Sequence, residues 1–88
     1  MVSRVATVAN ALGLHARAAA RFVKTASGFR SHVRVTRGSR TTDGKSILGL
    51  LLLAAARGAA LTIAAEGPDE QEAVDALCAL TARGFEDA

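Results

Sequence analysis

Hydrophobic and polar positions change their period several times along the chain, and each change marks an element. Residues 2–8 are rich in Val and Thr and predict a first strand, although their alternation is imperfect. Residues 10–14 form a loop containing Gly13. From Ala16 the period becomes helical, with Ala19, Phe22, Val23 and Ala26 at i, i+3, i+4 and i+7 on one buried stripe. Arg17, Arg21 and Lys24 follow a similar spacing on another face, expected in solvent. Gly28 is the expected stop, because glycine tolerates the left-handed conformation just past a helix end.

Residues 31–36 alternate again, with Val33 and Val35 on one side and His32, Arg34 and Thr36 on the other. Arg37-Gly38-Ser39 reads as a turn, and residues 40–42 return as a short strand, making a hairpin. Residues 46–56 predict a short apolar helix that ends near Gly58. Leu61, Ile63 and Ala65 alternate as a fourth strand. Gly67-Pro68 opens a last helix: proline suits a first turn, and Asp69, Glu70 and Glu72 complement the positive end of its dipole. Ala73, Leu77 and Leu80 supply its buried stripe, with a polar Glu86-Asp87 tail after it. The order is β-α-β-β-α-β-α. Strands joined partly by helices and partly by a tight hairpin imply an α+β fold, an antiparallel sheet with helices on one face.

Composition narrows this picture. Half of the 88 residues are apolar, enough for one core, and the length suits a single domain over residues 1–88. The one cysteine, Cys78, allows no internal disulfide, argues against a Cys-based metal site and suits a reducing cytoplasm. No signal sequence is expected, since residues 1–11 lack a basic start followed by an adequate apolar run. The longest apolar stretch, residues 47–56, is far shorter than the roughly 20 residues that cross a bilayer. A membrane-spanning, secreted or multidomain protein is therefore not expected.

Charge is uneven. Residues 1–45 carry nine Lys and Arg against one acid, whereas residues 46–88 carry two Arg against seven acids. A basic half suggests nucleic acid. No Trp or Tyr is present to stack on bases, however, and no nucleic-acid motif is found. Ordinary solvated arginines are the simpler explanation of the asymmetry, with an acidic protein partner as a third reading.

His15 stands where the glycine loop meets the first helix. Amides in a first helical turn have no intrahelical partner, and the dipole adds positive charge, so an anion is favoured there. An imidazole can attack as a nucleophile, hold a covalent group and titrate near neutrality. Arg17 could pair phosphoryl oxygens through charge-assisted hydrogen bonds. A histidine that merely caps the helix or lies on the surface fits the same position. No nearby acid orients the imidazole for hydrolysis, and His32 is the only other histidine, which argues against a metal site.

The segment Leu12-Gly13-Leu14-His15-Ala16-Arg17-Ala18-Ala19 resembles the active-site segment of HPr, the histidine phosphocarrier family of the phosphoenolpyruvate-dependent phosphotransferase system. Gly44-Lys45-Ser46-Ile47-Leu48-Gly49-Leu50 is similar to the family's second signature, and Ala65-Glu66-Gly67-Pro68-Asp69-Glu70-Gln71-Glu72-Ala73 to its entry into the last helix. The likeness runs over essentially the whole chain. It implies an open-faced β-sandwich, a four-stranded antiparallel sheet with three helices on one side. Asn10, Leu12 and Gly13 before the histidine, and Gly84-Phe85-Glu86-Asp87 at the end, look more like the nitrogen-related (NPr) branch than the sugar-transport branch.

The resemblance implies that His15 accepts a phosphoryl group on Nδ1 from enzyme I and passes it to an EIIA-type acceptor. The amides of Ala16 and Arg17 and the Arg17 side chain would bind its oxygens. One position departs from the family, which usually has proline where this chain has Ala18; a slightly looser loop with intact chemistry is expected. Ser46 is placed to cap the short helix, worth about 1 kcal/mol. By resemblance it is also a site for HPr kinase/phosphorylase, where a phosphate would oppose docking of enzyme I.

The leucines of the short helix are too many for one buried stripe. Ile47, Leu48 and Leu51 are assigned by resemblance to an apolar docking surface beside His15, completed by Arg17, Ala20, Arg21 and Lys24. Cys78 is expected to be a small buried hydrophobe and His32 an exposed surface residue. The expectation is a cytoplasmic, monomeric carrier that needs no cofactor or metal and is turned over by its partners, not a free-standing catalyst. The rival from another class is a small basic nucleic-acid-binding module, with an enzyme using His15 as nucleophile or base a third reading.

Overall fold

A computed structural model describes residues 1–87, without the side chain of residue 87. Its elements are β1 (Val2–Thr7), α1 (Ala16–Ser27), β2 (His32–Arg37), β3 (Arg40–Asp43), α2 (Ile47–Leu52), β4 (Ala60–Glu66) and α3 (Glu70–Ala82). The strands form one antiparallel sheet in the order β1-β4-β2-β3. The order read from the period is the order observed. Only β2 and β3 are joined by a hairpin; β4 enters between β1 and β2, so the sheet closes only after the chain has crossed it with two helices.

Alternation places Val33 and Val35 of β2 and Leu61, Ile63 and Ala65 of β4 on one side of the sheet, all buried. Against them pack Ala18, Ala19, Phe22 and Ala26 of α1, Leu50 of α2, and Ala73, Val74, Leu77 and Leu80 of α3. Val23 lies at the margin of this core, partly buried. Cys78 is buried and free, and His32 is exposed. The sheet's other side is the more exposed one and includes Thr36 and Thr41, whose hydroxyls meet at 2.8 Å across β2 and β3. The two charge halves meet on the helical side, where Arg4 of β1 pairs with Asp75 of α3 at 3.0 Å.

Four local expectations are corrected. Gly28 ends α1, but in a right-handed conformation (φ −74°) with its N–H directed to the Thr25 and Ala26 carbonyls, so no left-handed cap forms. The apolar helix expected over residues 46–56 stops at Leu52. Ala54 turns left-handed (φ 51°), Leu53 folds into the core, and Arg37 and Arg40 donate to the Leu53 and Leu52 carbonyls at 3.2 and 3.0 Å. Those guanidiniums satisfy carbonyls that a longer helix would have bonded internally.

Pro68 precedes the N-cap of α3, which is Asp69, and so lies outside the first turn. The Asp69 carboxylate caps nothing in its own helix. It accepts from the Arg30 and Ser31 amides at 2.8 and 2.9 Å and from the Ser31 hydroxyl, clasping the α1–β2 loop to the start of α3. Finally, the segment Gly84–Asp87 is not simply a polar tail. Phe85 is wholly buried, and Phe85 and Glu86 are left-handed, which makes the segment a tight turn against the core.

Candidate functional site

The loop from Asn10 to His15 is shaped by its own backbone and by the chain after α2. Gly13 is left-handed (φ 69°), and a Cβ there would collide with the Ala55 carbonyl, so only glycine fits. The adjacent Leu14 N–H donates to that same carbonyl at 2.9 Å, and Leu14 is buried. The stretch following α2 therefore holds the loop before α1, which explains why α2 ends early. Asn10, nearly buried, donates from Nδ2 to the Gly13 carbonyl at 2.8 Å.

His15 is the N-cap of α1, in extended conformation (φ −83°, ψ −176°). Its carbonyl accepts the first helical bond, from Ala19 N–H at 2.8 Å, and its Nδ1 accepts from Arg17 N–H at 3.2 Å. A nitrogen that accepts carries no proton, so the neutral ring holds its proton on Nε2. That nitrogen is screened from solvent and has no hydrogen-bond partner among the described residues. The first turn of α1 contains no acid to compete with an incoming anion. Capping and anion chemistry thus coincide in one side chain: the lone pair that caps the helix is the one an electrophile would meet.

Arg17 and Ala20 are exposed, as is Lys24 on the same helix. Arg21 is a correction to the expected solvated face. It is half-buried, and its Nη1 donates to the Phe85 and Glu86 carbonyls at 2.8 Å each, engaged with this chain. Ala18, where the family usually has proline, is fully buried, and α1 starts at Ala16 without it.

Ser46 caps α2 as expected. Its Oγ accepts from Gly49 N–H at 3.0 Å, and its carbonyl accepts from Leu50 N–H at 3.0 Å. Gly49 lies against Thr42 of β3 so closely that a Cβ would overlap the Thr42 hydroxyl, which seats this short helix on the sheet. Leu50 and Leu53 enter the core, while Ile47, Leu48 and Leu51 are 43, 68 and 36% exposed. Leu12, 74% exposed in the His15 loop, and Leu52, 59% exposed, are further exposed apolar side chains that were not singled out from the sequence. Their signal was available for Leu12, an apolar residue in a short loop beside the histidine. For Leu52 it was not, because a run of leucines gives no phase.

Among the described residues no group of His, Cys, Asp and Glu is arranged to hold a metal ion, and no helix is long and apolar enough to cross a membrane.

The family description "PTS HPr component phosphorylation site" matches residues 2–83. Phosphocarrier protein HPr of Cupriavidus necator is 49% identical over 85 residues, 97% of this chain and 96% of that protein. Phosphocarrier protein NPr of Shewanella violacea is 38% identical over 87 residues, 99% of this chain and 96% of that one. The crystal structure of HPr-C-His from Thermoanaerobacter tengcongensis superposes with a TM-score of 0.94 at 39% identity, covering 100% of this chain and 99% of that chain. Fold and relatives agree on a phosphocarrier built as an open-faced α+β sandwich. The chain belongs to the HPr family of the phosphotransferase system.

Proposed function

We propose that His15 is the phosphoryl acceptor of this phosphocarrier, taking the group on Nδ1 from phospho-enzyme I and giving it to an EIIA-type acceptor. The observation that carries this reading is the hydrogen bond between Arg17 N–H and His15 Nδ1. It keeps the proton on Nε2 and points the Nδ1 lone pair at the α1 N-terminus, where the Arg17 N–H releases it as the phosphoryl group arrives and turns to a phosphoryl oxygen. In the transfer, that lone pair forms the new N–P bond while the bond from phosphorus to the donor breaks and the donor keeps the electron pair. The ring retains its Nε2 proton and becomes cationic, which makes it a good leaving group for the second transfer. The Ala16 and Arg17 amides and the Arg17 guanidinium bind the phosphoryl oxygens.

Arg17, Ala20, Lys24, Ile47, Leu48 and Leu51 form the docking surface, cationic on one side and apolar on the other. Leu12 extends it. Arg21, engaged with the C-terminal turn, contributes through field and not through contact. Ser46 is the regulatory site: phosphorylation by HPr kinase/phosphorylase would add about two negative charges beside the apolar surface and oppose the docking of enzyme I. The protein works as a single-domain, cytoplasmic, monomeric carrier turned over by its partners, with no catalysis of its own. Asn10, Leu12 and Gly13 before the histidine and the Gly84-Phe85-Glu86-Asp87 segment support an assignment to the NPr-like branch.

Intact-mass analysis after incubation with enzyme I and phosphoenolpyruvate tests the core of this reading. One acid-labile phosphoryl group on the wild-type protein and none on His15→Ala is the expected result. Modification of His15→Ala, or none on folded wild type with a competent enzyme I, would overturn it.

A further inference from the structure

Gly84, Phe85 and Glu86 all have positive φ, 65°, 55° and 59°, one short left-handed turn after α3. Two of the three are not glycine, and such residues hold this conformation only where their surroundings over-determine it. Here the surroundings are specific. Phe85 is wholly buried, and a single Arg21 nitrogen donates to the two successive carbonyls of Phe85 and Glu86. Arg83 and Glu86 add an ion pair at 3.7 Å. Nothing in the proposed transfer uses this turn, yet four side chains maintain it.

The turn reaches the His15 loop through Asn10. A Cβ on Gly84 would stand 3.2 Å from Asn10 Cβ and 3.6 Å from Asn10 Cα, so the turn lies close behind the asparagine with no room for a larger residue. On its other side, Asn10 Nδ2 donates to the Gly13 carbonyl at 2.8 Å, and the His15 N–H donates to that same carbonyl at 2.9 Å. Gly13 N–H returns a bond to the Asn10 carbonyl at 3.2 Å. A continuous path of contacts therefore runs from Arg21 and Phe85, through Gly84 and Asn10, to the backbone of His15.

We propose that the 84–86 turn, locked by Phe85 and Arg21, is a buttress that holds Asn10 in place, and that Asn10 is a positioning residue setting His15 over the α1 amides for phosphoryl transfer. This rests on the reading of His15 as the acceptor. Without the Asn10 amide, the Gly13 carbonyl loses one of its two donors and the loop relaxes about the His15 N–H. Reaction geometry is sensitive to such shifts: a displacement of about 1 Å costs on the order of a hundredfold in rate. Arg21 then acts within the carrier, through the turn it anchors.

Asn10→Ala and Phe85→Ala test this, because both leave Arg17, Arg21 and Lys24, and hence the charge of the docking face, in place. Each is expected to lower kcat for phosphoryl acceptance from enzyme I by about tenfold or more, with KM changed by less than about twofold. Nitrogen-15 NMR of the unphosphorylated His15 ring should show weakening of the Arg17 N–H bond to Nδ1 in both variants. Wild-type kcat with wild-type ring signals in Asn10→Ala overturns the proposal, as does a loss confined to KM. If circular dichroism shows Phe85→Ala unfolded, Asn10→Ala decides by itself, since the hydrophobic core is left intact. Ring signals that respond to Asn10→Ala in a protein taking no phosphoryl group would support the buttress while overturning the role given to His15.

Discussion

At His15 one nitrogen has two possible partners, the Arg17 amide and a phosphoryl group, and that shared geometry makes the function testable at single residues. Arg17→Ala leaves the Arg17 backbone N–H and the His15 ring as they are, and removes only the guanidinium. It should slow transfer by about tenfold to a hundredfold, the loss expected when one charge-assisted contact to the transferring group is deleted. Rapid-quench transfer from enzyme I measures this, and an unchanged rate would remove Arg17 from the mechanism. Ser46 separates two roles in the same way. Ser46→Ala loses the acceptor for Gly49 N–H and should destabilise the protein by about 1 kcal/mol in urea melts. Ser46→Asp keeps a capping oxygen and near-wild-type stability but adds charge, so phosphorylation by enzyme I should become slower. Equal rates for Ser46→Asp and wild type would leave Ser46 with capping alone.

Between elements, backbone close approach and side-chain clasps decide the architecture of the site. Gly13→Ala demands a left-handed alanine and drives its Cβ into the Ala55 carbonyl. A cost of about 1–3 kcal/mol is expected from the conformation, and the contact adds to it. Phosphoryl acceptance should fall too, because the loop can relieve the collision only by moving His15. The second junction is Asp69. Its carboxyl is held below the ordinary value of 3.8, first by the Ser31 hydroxyl and then by the Arg30 amide. A depressed acid adds stability above its unfolded pKa and loses that contribution as the pH falls through the lower folded value. Asp69→Ala should therefore be less stable than wild type at pH 7. The gap should narrow progressively below about pH 4, the unfolded carboxyl's range, in paired urea melts. A gap that stays constant to pH 2 would mean the clasp does not depend on charge.

For the molecule as a whole, charge is sorted by the fold. The exposed cations Arg17 and Lys24 project from α1, while two acids of α3 pair elsewhere: Glu70 holds the N-terminal amine at 3.2 Å and Asp75 holds Arg4. An acidic partner should therefore be steered to the α1 side, and its association should weaken as salt rises through the range where the Debye length falls from about 10 Å to 3 Å. Stopped-flow association with enzyme I at graded ionic strength measures this, and a salt-independent on-rate would remove the steering.

Element order, the inward faces of β2 and β4, the core stripe of α1, the position of His15 at a helix start and the Ser46 cap were all legible in the linear sequence. Each depends on neighbours within a turn or on a repeating side-chain direction, and such information is local. The end of α2, the left-handed turn at Phe85 and the engagement of Arg21 were not legible. A lone Gly-Phe near the end of the chain signals burial only once there is a core to enter. An arginine at helical spacing reads as solvated until distant carbonyls are brought within 2.8 Å of it. The same holds for Asp69, which by sequence complements its own helix and in the fold serves a loop 38 residues away. Local preference set which elements form and where the histidine stands. Long-range packing chose which polar groups are consumed inside the molecule and which remain for a partner, because hydrogen-bond partners far apart in sequence meet only when the sheet and helices close on one core.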